Sequence, residues 1–154
     1  MCSNCNNYFG SHYASEFTPF YNELANFFKN NYDALINESS NGDLNIDIKA
    51  NINFFKFEKQ VVSMLMSTSR GIYKNFFKEY LLDENNTNFP TDKFKIIMNG
   101  YLNFEVSRIT EQMIGVDLVS NSPQIVGSEI QVFPLGFTLI ELNNSNKEKI
   151  LTTD

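Results

Sequence analysis

Over residues 14–35 apolar side chains recur at Phe17, Phe20, Tyr21, Leu24, Phe27 and Phe28. Steps of three and four draw one stripe along a helix. Pro19 is expected in the first turn of that helix, where its missing N–H removes no hydrogen bond. Residues 37–43 (Asn-Glu-Ser-Ser-Asn-Gly-Asp) are rich in turn formers and mark the clearest boundary along the chain. Beyond them Leu44, Ile46 and Ile48 alternate with Asn45, Asp47 and Lys49, the period of a half-buried strand. Helical spacing returns over 53–67, where Phe54, Phe57, Val61, Met64 and Leu65 share a face and Lys56, Glu58, Lys59 and Gln60 lie off it. Gly71 interrupts the pattern, and a further helix follows over 72–82 through Phe76, Phe77, Tyr80 and Leu81.

Residues 84–91, with Pro90 and several asparagines, read as a surface loop. From Phe94 the period changes to two, and strands are expected over 94–102, 107–119, 128–133 and 136–142, joined by turn-forming residues such as Ser-Asn-Ser-Pro and Pro134-Leu135-Gly136. The pattern predicts an α+β fold with N-terminal helices packed on an antiparallel sheet formed mainly by the C-terminal half, and with one sheet face wet. It divides the chain into an N-terminal piece (1–40), an α+β domain (41–142) and a loose tail (143–154). No internal repeat is present.

Composition adds bounds. The chain of 154 residues is 42% hydrophobic and 19% charged, enough apolar surface for one folded core. Its net charge of -6 argues against holding nucleic acid by general electrostatics, which needs clustered Lys and Arg, so any DNA contact would be local. No run of about 18 apolar residues is present to span a bilayer, and the segment from Met1 to Cys5 lacks the basic and apolar regions of a signal peptide. A cytoplasmic protein without membrane contact is the expectation.

Candidate chemistry is sparse. Cys2 and Cys5 form a C-x-x-C pair, which supplies two thiolates for zinc, although a structural zinc site takes four ligands. Free thiols and zinc ligation both fit the pair alone. His12, the sole histidine, could be a third ligand, but a lone histidine is more often a surface or capping residue than a base. Apolar stripes at helical spacing, and Met64, Met66 and Met113, are read as core. Ser67-Thr68-Ser69-Arg70-Gly71 offers hydroxyls and a cation as in an anion cradle, but it lacks the P-loop lysine and reads better as a helix end. Asp43, Asp47, Glu58 and Asp83 are scattered over different elements and form no acid/base pair that sequence can establish.

Several of these stretches together are similar to a bacterial and phage family of HNH-endonuclease-type proteins. The segment Cys2-Ser3-Asn4-Cys5-Asn6-Asn7-Tyr8-Phe9-Gly10 resembles the family's second zinc knuckle, C-x-x-C-N with a nearby glycine. Lys56-Phe57-Glu58-Lys59-Gln60, Phe89-Pro90, Ser128-Glu129-Ile130 and Phe133-Pro134-Leu135-Gly136-Phe137 match the rear of such proteins in order. The resemblance implies that Cys2 and Cys5 are two of four structural zinc ligands, so that residues 1–40 comprise half a knuckle plus a helix. It also implies that Asn6 stands where the family places a His or Asn near the catalytic metal.

The family's front half, with its other cysteine pair and the histidine that activates water, has no counterpart in this sequence. Two readings follow. The chain is a truncated or split HNH-type protein without nuclease activity alone, gaining a divalent metal and DNA contact only through a separate front half. Alternatively it is a non-enzymatic protein-binding module of a phage or mobile element, acting on a protein partner or as a homodimer. A redox role for the Cys pair ranks last, because no strand precedes it as in a thioredoxin-like motif.

Overall fold

Among the described residues every helix precedes the first strand, and the extended period begins at Phe94 as expected. The computed structural model describes residues 3–39, 49–69, 73–102, 107–116 and 123–142. Four helices are described: α1 (Ser3–Asn30), α2 (Tyr32–Ser39), α3 (Phe54–Thr68) and α4 (Lys74–Leu82). Four strands follow: β1 (Phe94–Gly100), β2 (Ser107–Val116), β3 (Pro123–Val132) and β4 (Leu135–Glu141). The α+β expectation is met, with the helices N-terminal and the sheet C-terminal.

Helix α1 departs from the expectation at both Cys5 and Pro19. It starts at Ser3, ahead of the stripe expected from residue 14, so Cys5 lies within a helix. Pro19 is inside the helix instead of in its first turn. An interior proline removes one backbone hydrogen bond and costs about 3 kcal/mol. Packing upstream of it offsets that cost: Phe9 and Tyr13 are buried and extend the stripe that Leu24 and Phe28 continue. The helix therefore runs through a residue that local propensity would place at its start.

Helix α3 is fixed at its beginning by Asn53, whose side chain accepts from the Lys56 N–H at 3.1 Å. The Asn53 N–H donates to Glu16 Oε2 at 3.0 Å, which ties this cap to α1. The expected strand at Leu44, Ile46 and Ile48 and the tail at 143–154 lie outside the described residues.

The sheet order is β1-β4-β3-β2, with every neighbouring pair antiparallel. Strands β2, β3 and β4 run as consecutive hairpins and β1 lies beside β4, which is a Greek-key order traced from the C-terminal end. β3 begins at Pro123, earlier than expected, with proline at the first strand position where a missing donor is tolerated. The β3–β4 turn is Phe133–Pro134, whose peptide bond is cis, and Leu135 and Gly136 already belong to β4. Gly136 is required there, because a Cβ would overlap the Tyr101 ring that lies against it.

Cross-strand partners share a face, so the register assigns Phe94, Ile96, Met98, Leu135, Phe137, Leu139, Ser128, Ile130 and Ile109 to one side. The helices cover this side: the Phe137 ring lies 6.2 Å from that of Phe57 on α3 and 6.0 Å from that of Phe17 on α1. Lys95, Asn99, Arg108, Thr110, Glu129, Gln131 and Thr138 occupy the other side. One apolar cluster joins Phe9, Tyr13, Leu24, Phe28 and Leu35 to Phe57, Leu65, Phe77, Ile130, Phe137 and Leu139. The core is therefore shared across the 40/41 division that the turn-rich composition suggested. Among the described residues no helix is long and apolar enough to cross a membrane.

Candidate functional site

Polar side chains from α1 and α3 gather at the end of α4. A helix leaves its last carbonyls without intrahelical partners, and here no glycine follows Leu82 to close the end with a left-handed turn. Donors arrive from two other helices. Tyr13 Oη donates to the Leu81 carbonyl at 2.6 Å, and Tyr8 Oη to that of Leu82 at 3.2 Å. Lys59 Nζ, from α3, donates to the carbonyls of Asp83 at 2.5 Å and Glu84 at 3.2 Å. The Lys59 side chain is fully buried, with its ammonium 4.9 Å from the Tyr80 ring centroid and 5.6 Å from that of Tyr13. A cation at a helix C-terminus also meets the negative end of the helix dipole.

A second layer surrounds this cap. Tyr80 donates a short hydrogen bond to Glu58 Oε2. His12 stacks on Tyr8 with ring centroids 4.0 Å apart, its Nε2 lies 3.1 Å from Glu84 Oε1, and its Nδ1 lies 2.8 Å from the Tyr8 carbonyl and 2.9 Å from Ser11 Oγ. Burial lowers the pKa of Lys59, and the nearby Asp83, Glu84 and Glu58 work against that shift. Burial raises Glu58, opposed by the Tyr80 hydrogen bond and by Lys59. Tyr13 and Tyr80 are also pushed upward, first by burial, so both phenols stay protonated and act as donors.

Chemically the arrangement is a helix cap built from distant side chains. Lys59 is enclosed and already bonded, unlike a nucleophilic lysine that must reach a substrate. Sequence reasoning missed this role, placing Lys59 off the core face and leaving Tyr8 and Tyr13 unassigned. The available signal was α4 ending on Leu81-Leu82-Asp83 without a glycine, which shows that donors are needed but not which ones.

Many of the side chains singled out for chemistry lie outside the described part of the molecule. Cys2 lies outside the described residues, and the side chains of Cys5 and Asn6 are likewise not described, although their backbones belong to α1. His12, considered as a third zinc ligand, turns both ring nitrogens to other partners. Among the described residues no three His, Cys, Asp or Glu side chains converge on a point where a metal could sit. A structural zinc site takes four ligands, of which the cysteine pair would supply two.

At the end of α3 the hydroxyls of Ser67, Thr68 and Ser69 bond back to the carbonyls of Met64, Leu65 and Met66, which fits the helix-end reading. Arg70 and Gly71 lie outside the described residues, as do Asp43 and Asp47. Glu58 and Asp83 each act electrostatically on Lys59. The segments that carry the HNH resemblance fall on α1, on α3, in the loop ahead of β1, on β3 and at the β3–β4 turn.

Comparison with protein-family models, curated proteins and solved structures gives no match to this chain.

Proposed function

We propose that the chain is a protein-binding module of the cytoplasm that catalyses nothing on its own. One observation carries this reading. The acid/base side chains that the fold gathers, Tyr8, His12, Tyr13, Glu58, Lys59 and Tyr80, are engaged in holding α1 and α3 to the end of α4. Large apolar side chains remain accessible instead, among them Phe76, Met98 and Ile109. The acidic balance of the chain suits a protein partner better than a DNA groove. Purified protein is expected to leave plasmid and single-stranded DNA intact in Mg²⁺ or Mn²⁺. Metal-dependent cleavage would overturn the proposal, and its loss in His12→Ala would make His12 the base.

A second reading rests on the Cys2-x-x-Cys5-Asn6 segment and the Pro134-Leu135-Gly136-Phe137 turn. In it the chain is the rear of a split HNH-type protein whose front half supplies the base, a divalent metal and the DNA contact, with Asn6 near that metal. Cys2 and Cys5 would give half of a structural zinc site, completed by a separate front half or by two such pairs from two chains. Zinc should then bind the lone monomer weakly, or at about one ion per dimer, and Cys5→Ser should abolish it. Elemental analysis with light scattering, with and without chelator, checks this. One tightly held zinc per monomer would exclude the half-knuckle.

A further inference from the structure

The two edges of the sheet are built differently. β2 shifts register between Thr110 and Met113 and again between Gly115 and Val116, irregularities that interrupt the outward row of N–H and C=O groups. β1 pairs with β4 over all seven of its residues without a shift, contains no proline and carries one charge, Lys95. Among the described residues no strand lies on its other side. A regular and largely apolar edge is a template for another strand.

The side chains along this edge complement a reversed copy of themselves. Phe94, Ile96, Met98 and Gly100 share the face that the helices cover, and Met98 is 54% exposed. At Gly100 an added Cβ would meet nothing within 4 Å, so the backbone there borders open space. At the opposite end Phe94 is flanked by Phe76 of α4, 45% exposed, with ring centroids 5.2 Å apart. One end of the strand is therefore bulky and aromatic, and the other lacks a side chain.

We infer that β1 pairs antiparallel with β1 of a second copy of this chain, about a twofold axis at Ile97. In this register Phe94 stands opposite Gly100 of the second copy, Lys95 opposite Asn99, Ile96 opposite Met98 and Ile97 opposite itself. Phe94 itself is buried against Tyr73, Phe76 and Phe77, so the ring free to cover the backbone that the glycine exposes is Phe76 beside it. Met98 gains an apolar partner and the single charge faces an amide, so no like charges oppose. A register centred on Ile96 instead sets Lys95 against Ile97 and leaves Gly100 without a partner. The axis runs perpendicular to the sheet, which keeps both helical layers on one side and brings Phe76 toward the second copy's Gly100. The inference rests on the binding-module reading and names its partner as a second copy.

Engineered disulfides test the register in the full chain carrying Cys2→Ser and Cys5→Ser. A disulfide needs Cα atoms within about 7 Å, whereas Lys95 and its own copy would be about 13 Å apart along the strands. Under mild oxidation Ile97→Cys should crosslink with itself. Lys95→Cys should crosslink when mixed with Asn99→Cys, at least several-fold more than either does alone. Light scattering of the unaltered chain should show dimer forming with concentration, with or without chelator. A monomer at all concentrations, or equal crosslinking at all three positions, would overturn the pairing. Nuclease activity would instead overturn the parent reading, so the two failures are distinguishable.

Discussion

The two halves of α1 are attached to the molecule by different chemistry, with Pro19 between them. Downstream, rings do most of the holding, beside one hydrogen bond from Tyr21 Oη to the Phe133 carbonyl: Phe20 lies edge-on to Phe57 at 5.3 Å and Phe28 edge-on to Phe133 at 6.2 Å. Upstream, Tyr8 and Tyr13 donate to carbonyls at the end of α4, and Lys59 of α3 completes the same cap. Apolar contact is non-directional and scales with area, so the downstream half tolerates small shifts. Hydrogen bonding at the upstream half is directional, and loss of one partner leaves a buried carbonyl without water or protein. The difference teaches that one helix can be rigidly placed at one end by shape and at the other by donor position.

The largest effect should come from the apolar side. Phe57→Ala is expected to cost about 3–5 kcal/mol, since the ring is shared by Phe17, Phe20 and Phe137 and the space cannot collapse easily. Urea unfolding measures it, and a loss below about 1 kcal/mol would mean that these rings do not form the central contact. Next comes Lys59→Met, which keeps the apolar stem and strands the carbonyls of Asp83 and Glu84. We expect about 2 kcal/mol from the loss of a charged donor at two part-buried acceptors. Amide exchange separates the two variants. Lys59→Met should loosen residues near Tyr8 and Tyr13 before those near Phe20, whereas uniform loosening would deny that the halves are held separately.

Tyr13→Phe removes one donor from the same cap and should cost about 1–2 kcal/mol, because only the Leu81 carbonyl is stranded. If Tyr13→Phe and Lys59→Met act on one network, the double variant should lose less than the two single losses added. Strict additivity would show that the two donors serve the helix end independently.

Glu58 gives the comparison a pH axis. Burial raises its folded pKa above the ordinary 4.5, so the folded state favours the protonated carboxyl. The stability it contributes is complete below the unfolded value and is lost as pH rises through the folded one. Glu58→Gln keeps an acceptor for Tyr80 and removes the titration. Its melting temperature should hold steady above pH 4.5 while that of the unaltered chain declines toward neutrality. Parallel curves would show that Glu58 is not the group responsible.

The sequence pattern located the helical and extended regions because both periods are written in residues such as Phe57, Val61 and Leu65, whose spacing directly reflects the face they bury. The start of α1 was illegible for the opposite reason. Cys5, Pro19 and the glycine near Phe9 each signal a turn locally, and only contact with α4 and the core favours helix there. The polar cap escaped reading altogether, since Lys59 and Asp83 are 24 positions apart and nothing in either residue specifies the other. Strand order is equally non-local: β1 and β2 are consecutive in the chain yet occupy opposite edges of the sheet, a placement that no turn motif encodes.

The smallest effect should come from the contact that looks most like chemistry. His12 and Glu84 are the one ion pair recorded between α1 and the turn after α4, at 3.1 Å among the described residues, but both side chains are more than a third open to solvent. Water screens such a pair, and holding two side chains in one geometry costs entropy, so a coupling of about 0–1 kcal/mol is expected. A double-mutant cycle with His12→Ala and Glu84→Gln measures it, and raising the salt should diminish it further. The hydrogen bond of Tyr13 is buried and those of Lys59 are part-buried, so they should respond less to salt. A salt-insensitive coupling above about 2 kcal/mol would place His12 within the buried cap and erase the distinction between its rim and its centre.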